Sequence, residues 1–129
     1  MKSICENLNI PFYETNSIND NVFKDWIVEN QIDVVVIMIN RIVDRALLEV
    51  ASTTFLNKHS SLLPAARGVY PYIWNRISDA PQGVSFHIVT QDIDDGEVIF
   101  QEVMDQNLGS MLAFYVSIFG SYDNYLAKT

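Results

Sequence analysis

The chain has 129 residues, of which 49% are hydrophobic, enough for one domain with a real core. Asp+Glu number 16 against Lys+Arg 8, a formal net charge of −8, which argues against a phosphate-tracking nucleic-acid surface because such surfaces are basic. Cys5 is the one cysteine, so no internal disulfide or cysteine zinc cluster can form. The opening MKSICENLN has no apolar signal-peptide stretch. Outside the C-terminal segment the longest apolar run, Val34 to Ile39, falls well short of the roughly 20 residues of a membrane helix. A soluble cytoplasmic protein with no membrane or nucleic-acid partner is expected.

In chain order, Ile10 to Tyr13 is a short apolar stretch closed by the polar TNSINDN, and reads as a strand and a loop. Asn21 to Asn30 carries Val22, Phe23, Trp26 and Ile27 on one helical face. Asp33 to Ile39 (DVVVIMI) is β-branched almost throughout, the pattern of a strand buried on both faces of a parallel sheet. Asp44 is placed to cap a helix through Ala51 with Leu47, Leu48 and Val50 inward. Phe55 to His59 is the next strand, and Pro71 opens a short helix to Ile77. Val84, Phe86 and Ile88 alternate with Ser85, His87 and Val89 in a further strand; Gly96 precedes a last one, Val98 to Val103. Ser110 to Lys128 reads as a helix weakened at Gly120. Its part from Met111 to Phe119 is apolar nearly all round, which fits deep burial or a subunit interface. Strands alternating with helices predict an α/β fold, a largely parallel sheet with helices on both faces.

Asn57 and His59 are spaced i, i+2, so on an extended chain they share a face. They end a strand, where ligands bind in open α/β sheets. The turn after the following strand, Thr90-Gln91-Asp92-Ile93-Asp94-Asp95-Gly96, would reach the same rim. An amide, an imidazole and a carboxylate at one spot suit attack of a nucleophile on a carbonyl. The amide N–H stabilises an oxyanion, the imidazole moves a proton, and the carboxylate orients the imidazole. On spacing alone, a strand end capped by polar side chains explains the pair equally well.

The stretch NKHSSLLPAARG, followed by YPYIW, GVSFHIV and IDDGEVIFQ, resembles the formyltransferase family that uses 10-formyltetrahydrofolate. The family pattern runs Asn-x-His, Ser-Leu-Leu-Pro, Arg-Gly, Gly-Val-x-x-His, then Asp-x-Gly, in the same order and with matching gaps. The resemblance implies a partial Rossmann-like fold and a catalytic trio of Asn57, His59 and Asp94. Asp94 is preferred to Asp95 because it stands two places before Gly96. It also implies a pterin slot: Asn40, Arg41, Ile42 and Val43 on one side and Thr90, Gln91, Asp92 and Ile93 facing them. The physics agrees, since a flat heteroaromatic ring suits an apolar slot with a few polar groups. No metal is implied. Tyr70, Tyr72 and Trp74 could stack on a substrate ring or simply pack; Arg67 could bind a phosphate or tie down its loop. For His87 a structural role is favoured.

Ser60 stands where the family has Pro, and Asp94-Asp95-Gly96 where it has Asp-Thr-Gly. The added carboxylate of Asp95 could raise the pKa of its neighbour. Family members begin with two further β-α units, so residues 1–129 read as one catalytic domain shortened at its N-terminus, with Val34–Ile39 left as an apolar sheet edge. A truncated product, a chain completed by self-association or by a separate N-terminal half, and a rearranged edge all stay open. The resemblance implies formyl transfer to a primary amine. The run RGVYPYIW favours an amino sugar, nucleotide-linked, over a ribonucleotide. Acidity and the lack of a second domain disfavour initiator tRNA. The alternatives are 10-formyltetrahydrofolate hydrolysis and an inactive, folate-binding remnant.

Overall fold

The structure is a computed structural model that describes residues 2–39, 41–50, 53–107 and 109–128. The elements are α1 (Lys2–Asn7), α2 (Asn21–Glu29), β1 (Val34–Ile37), α3 (Arg45–Leu48), β2 (Thr54–His59), α4 (Pro71–Ile77), β3 (Gly83–Ile88), β4 (Val98–Val103), α5 (Met111–Gly120) and α6 (Tyr122–Leu126). The strands form one four-stranded sheet in the order β1-β2-β3-β4.

The expected α/β class holds, but the sheet is mixed rather than largely parallel. β1 and β2 are parallel, whereas β2–β3 and β3–β4 are antiparallel. A parallel crossover must carry the chain back along the whole strand. α4 has seven residues, about 10 Å of helix, against about 20 Å for a strand of six. The chain therefore re-enters the sheet beside the end of β2, with Ser85 opposite His59.

Helices cover both faces. On one, Ile27 of α2, Val43, Leu47 of α3 and Phe55 of β2 form a buried cluster that Val35 and Ile37 extend. On the other, Val84 and Phe86 of β3 pack with Tyr72 of α4, Phe114 and Ile118 of α5 and Tyr125 of α6. Each such apolar side chain contributes about 1.5–3 kcal/mol on leaving water. Local signals set the helix starts. The Asp20 carboxylate accepts from Phe23 N–H to cap α2, and Asp44 accepts from Leu47 N–H to cap α3, as its position predicts. α3 ends at Leu48, and Ala51, the expected end, lies outside the described residues.

Three further elements differ from expectation. Ile10–Tyr13 pairs with no strand among the described residues; Tyr13 instead stacks on Phe23 and Trp26 of α2. β1 is not buried on both faces, because it is the sheet edge and only Val35 and Ile37 face the core. Val34, Val36, Met38 and Ile39 remain exposed. The C-terminal segment is two helices, with Ser121 at φ −116° and ψ 13° between them. α5 is buried along one side only, through Phe114 and Ile118, while Leu112, Val116 and Phe119 stay exposed.

An apolar edge strand with free backbone groups templates pairing. The chain is expected to self-associate with rising concentration in analytical ultracentrifugation, and Val36→Lys to shift it toward monomer while keeping a cooperative unfolding transition. A concentration-independent monomer in the wild type would show that another segment covers β1.

Candidate active site

β2 alternates its side chains, so Phe55, Asn57 and His59 share one face and Leu56 and Lys58 the other. Across the ladder Asn57 lies opposite His87. The β3–β4 connection then decides the site. Since β3 runs antiparallel, this connection leaves from the far end of β2, not from the rim that the sequence pattern suggests. It folds back and brings Asp94 onto Asn57 and His59. Gly96 permits that fold: a Cβ there would stand 1.7 Å from the Ile88 carbonyl oxygen, so no other residue fits without moving backbone. Asp94 itself takes φ 48°, in the left-handed region, a conformation that needs support from its surroundings.

The support converges on the Asp94 carboxylate, which is 11% exposed. Asn57 Nδ2 donates to Oδ1 at 3.2 Å and the Gly68 backbone N–H donates to Oδ2 at 2.8 Å. His59 Nδ1 lies 3.3 Å from Oδ2, and His87 Nε2 3.3 Å from Oδ1. Each imidazole is held at its other nitrogen by a backbone carbonyl: His59 Nε2–H donates to Ala66 O at 2.8 Å and His87 Nδ1–H to Ile88 O at 2.9 Å. Asn57 Nδ2 also approaches His87 Nε2 at 3.2 Å. Gly68 reaches its place with φ 84°, which glycine adopts freely. The loop is tied a second time by Arg67 and Asp95, 2.5 Å apart.

The structure thus brings the expected trio together and adds His87. Sequence reasoning favoured a structural role for His87, although its place in Gly-Val-x-x-His and its i, i+2 alternation with Ser85 were the available signals. The Ala66 carbonyl and the Gly68 N–H carry no side-chain signal at all. Asp95 turns to Arg67 and away from the centre, so the expected raising of its neighbour's pKa does not occur. Burial pushes the Asp94 carboxyl up, but hydrogen bonds from His87 and Gly68 and electrostatic attraction to the two imidazoles outweigh it, holding the pKa at about 2. For His59, burial comes first and lowers the pKa. The Ala66 contact and Asp94 oppose that shift, and His87 and Lys58 add to it.

These side chains line a cavity of about 1200 Å³. Arg41, Ile42 and Val43 form part of its wall, as do Thr90, Gln91, Asp92 and Ile93, so the expected slot residues share one space; Asn40 lies outside the described residues. Asn19, which sequence reasoning missed, clamps this wall: its amide donates to Ile42 O and accepts from Asp44 N–H, both at 3.0 Å. Of the expected substrate contacts only Tyr70 lines the cavity. Tyr72 is core, its ring centroid 5.1 Å from that of Phe114, because the helical turn from Pro71 points it at the sheet. Trp74 is exposed on α4 outside the cavity, and Arg67 is spent on Asp95. Among the described residues no cluster of His, Cys, Asp and Glu is arranged to hold a metal ion, and no helix is long and apolar enough to cross a membrane.

Both lowered pKa values mean that the folded chain binds fewer protons than the unfolded chain, so acid destabilises it. The His59 contribution is complete above the ordinary value of 6.5 and is lost as pH falls below it. The Asp94 contribution is complete above 3.8 and is lost as pH falls toward about 2. Thermal midpoints followed from pH 7 to pH 2 are expected to fall in both windows, and Asp94→Asn to shrink the lower one, leaving what the Asp20 cap contributes. An unchanged profile below pH 4 in that variant would place the acid-sensitive group elsewhere.

Residues 2–106 match the formyl transferase family. A methionyl-tRNA formyltransferase from Prochlorococcus marinus is 35% identical over 105 residues, covering 79% of this chain and 31% of that protein. The chain spans about a third of the length of the curated relatives it matches. Among solved structures, phosphoribosylglycinamide formyltransferase from Bacillus halodurans superposes with a TM-score of 0.74 at 24% identity, covering 92% of this chain and 66% of that one. A formyltetrahydrofolate deformylase from Pseudomonas syringae pv. tomato gives 0.71 at 26% identity, covering 91% and 42%. With the family pattern spanning most of its length and the fold to match, this chain belongs to the formyl transferase family.

Proposed function

We propose that residues 1–129 act as a formyltransferase catalytic domain that moves the formyl group of 10-formyltetrahydrofolate onto a primary amine. The observation that carries this reading is the convergence of Asn57 and His59 on Asp94, at 3.2 and 3.3 Å, in the floor of a large cavity. The co-substrate fits the chemistry of that cavity. Ile42, Val43 and Ile93 offer apolar contact to a flat ring, and Arg41, Thr90, Gln91 and Asp92 offer polar groups to its edge. When bound, it supplies an activated formyl carbon.

In this reading the amine nitrogen bonds to the formyl carbon as the bond to the folate nitrogen breaks. Asn57 Nδ2 turns one hydrogen from Asp94 or His87 to the carbonyl oxygen as negative charge grows there. His59, kept neutral by burial, takes a proton from the attacking amine and passes it to the departing folate nitrogen. Asp94 stays ionised throughout, orients His59, and stabilises its charged form. His87 fixes the far side of the carboxylate.

For the acceptor we favour an amino sugar, nucleotide-linked. Supporting this are the resemblance of RGVYPYIW to sugar N-formyltransferases and the exposed Tyr70 ring at the cavity wall. The charge of −8 fits a small molecule better than a tRNA. A second reading, hydrolysis with water as nucleophile, is supported by the likeness to the solved deformylase. Formate released without an amine would select it. The exposed β1 edge supports completion of the domain by a second copy or by an N-terminal half.

In an active form, Asn57→Ala is expected to lower turnover about 100- to 1000-fold, the cost of a lost oxyanion donor. His59→Ala is expected to cost about 10²–10⁴-fold. Either variant within a few-fold of wild type would remove that residue from the chemistry. Calorimetric titration with 5-formyltetrahydrofolate tests the slot: Ile42→Asp, at an exposed position, should weaken binding at least about tenfold, since a charge facing an apolar ring is desolvated without a partner. Unchanged affinity would place the ring elsewhere.

A further inference from the structure

β2 carries a lysine where its neighbours on the same face are apolar. Lys58 lies opposite Phe86 across the β2–β3 ladder, on the side filled by Val84, Phe114 and Ile118. The residue is only 5% exposed. Its ammonium donates to Ser60 Oγ at 3.0 Å and sits 4.8 Å from the centroid of the Phe119 ring. Burial pulls its pKa down to about 8.

An ammonium carries three N–H donors. The Ser60 oxygen takes one, and the Phe119 face gives a cation–π contact. Among the described residues, ion pairs join Arg45, Arg67, Lys128 and the two histidines to carboxylates, and none reaches Lys58. Buried charges are ordinarily paired. In a chain with 16 acids against 8 bases, this cation still has no carboxylate partner among the described residues. Lys58 and Ser60 both line the cavity that holds Asn57 and His59. The end of β2 therefore divides it: Asn57 and His59 face Asp94, whereas Lys58 faces Phe119 of α5.

We propose that Lys58 and Ser60 form an anion subsite in the acceptor half of the cavity, taking a phosphate or carboxylate group of the amine to be formylated. This rests on the reading of the cavity as a formyl-transfer site. Ser60 Oγ accepts from Lys58, so its O–H is left to donate. A positive N–H donor and a hydroxyl donor side by side match the acceptor oxygens of an anion. Lys58 stands on the opposite sheet face from the cluster that contains Val43. That position assigns the anion to the acceptor and not to the pterin.

The test is lysine-selective NMR on the whole chain, titrated with inorganic phosphate and separately with acetate. The Lys58 signal is expected to shift saturably, and the tighter-binding anion names the source. Lys58→Met should weaken that binding about 10- to 100-fold, the worth of a hydrogen bond to a charged group. Lys58→Arg should retain most of it. The methionine fits an apolar face, so its thermal midpoint should equal or exceed that of the wild type. Equal anion affinity in Lys58→Met, or no shift of the Lys58 signal with either anion, would overturn the proposal. 5-Formyltetrahydrofolate binding in the same samples separates the two readings: if it persists without anion binding, the subsite alone fails; if it too is absent, the formyl-transfer reading fails with it.

Discussion

One largely enclosed carboxylate holds this end of the molecule together. Asp94 receives a side chain from β2 twice, through Asn57 and His59, one from β3 through His87, and a backbone N–H from the loop at Gly68. A carboxylate taken out of water is tolerable only when its oxygens are occupied. The same contacts that satisfy it therefore fix the strands, the loop after β2 and the β3–β4 connection relative to one another. In the proposed reaction, site geometry and local folding rest on one group, the condition under which donors are set before charge develops.

Backbone features make the arrangement reachable. Gly96 lets the connection press against the Ile88 carbonyl, and Asp94 and Ala66 take φ 48° and 51° at the points where the two loops meet. Such conformations each cost of order 1–3 kcal/mol and persist where surrounding contacts over-determine them. Those contacts are present: the Ala66 carbonyl holds His59, and Arg67 pairs with Asp95 beside the Gly68–Asp94 bond. The loop leading into them is anchored in turn by Ser85, whose hydroxyl donates to Ser61 O and accepts from Leu63 N–H. The site is thus supported by polar bonds on one sheet face, while the apolar cluster of Phe86, Phe114 and Ile118 stiffens the other.

Much of this was legible in the residues because the signals are local. Pro71 and its following turn mark α4, alternation marks β3, the break at Gly96 marks β4, and the i, i+2 spacing of Asn57 and His59 puts both on one face. What was hidden depends on distant chain. Strand direction follows from how far α4 can carry the chain, not from the composition of β3. The exposure of Val34 and Val36 follows from the place of β1 at the edge of the sheet, which their β-branched character cannot report. Tyr72 and Tyr70 look alike in YPYIW, yet one is core and the other lines the cavity, since the helix begins between them. Lys58 breaks the alternation that its neighbours obey, and that break places a buried charge at the cavity wall.

Two adjacent carboxylates offer the most direct measurement of the central claim, because only one of them sits at the hub. Turnover and folate affinity are to be compared for Asp94→Asn and Asp95→Asn in the same active form. Asp94→Asn keeps the shape and removes the charge, so it should lower kcat and kcat/KM together with little change in folate affinity, as expected for an interaction strengthened in the transition state. Asp95→Asn removes only a half-exposed pair with Arg67, worth about 0–1 kcal/mol, and should stay near wild type. Loss of turnover in Asp95→Asn with Asp94→Asn unimpaired would contradict the account.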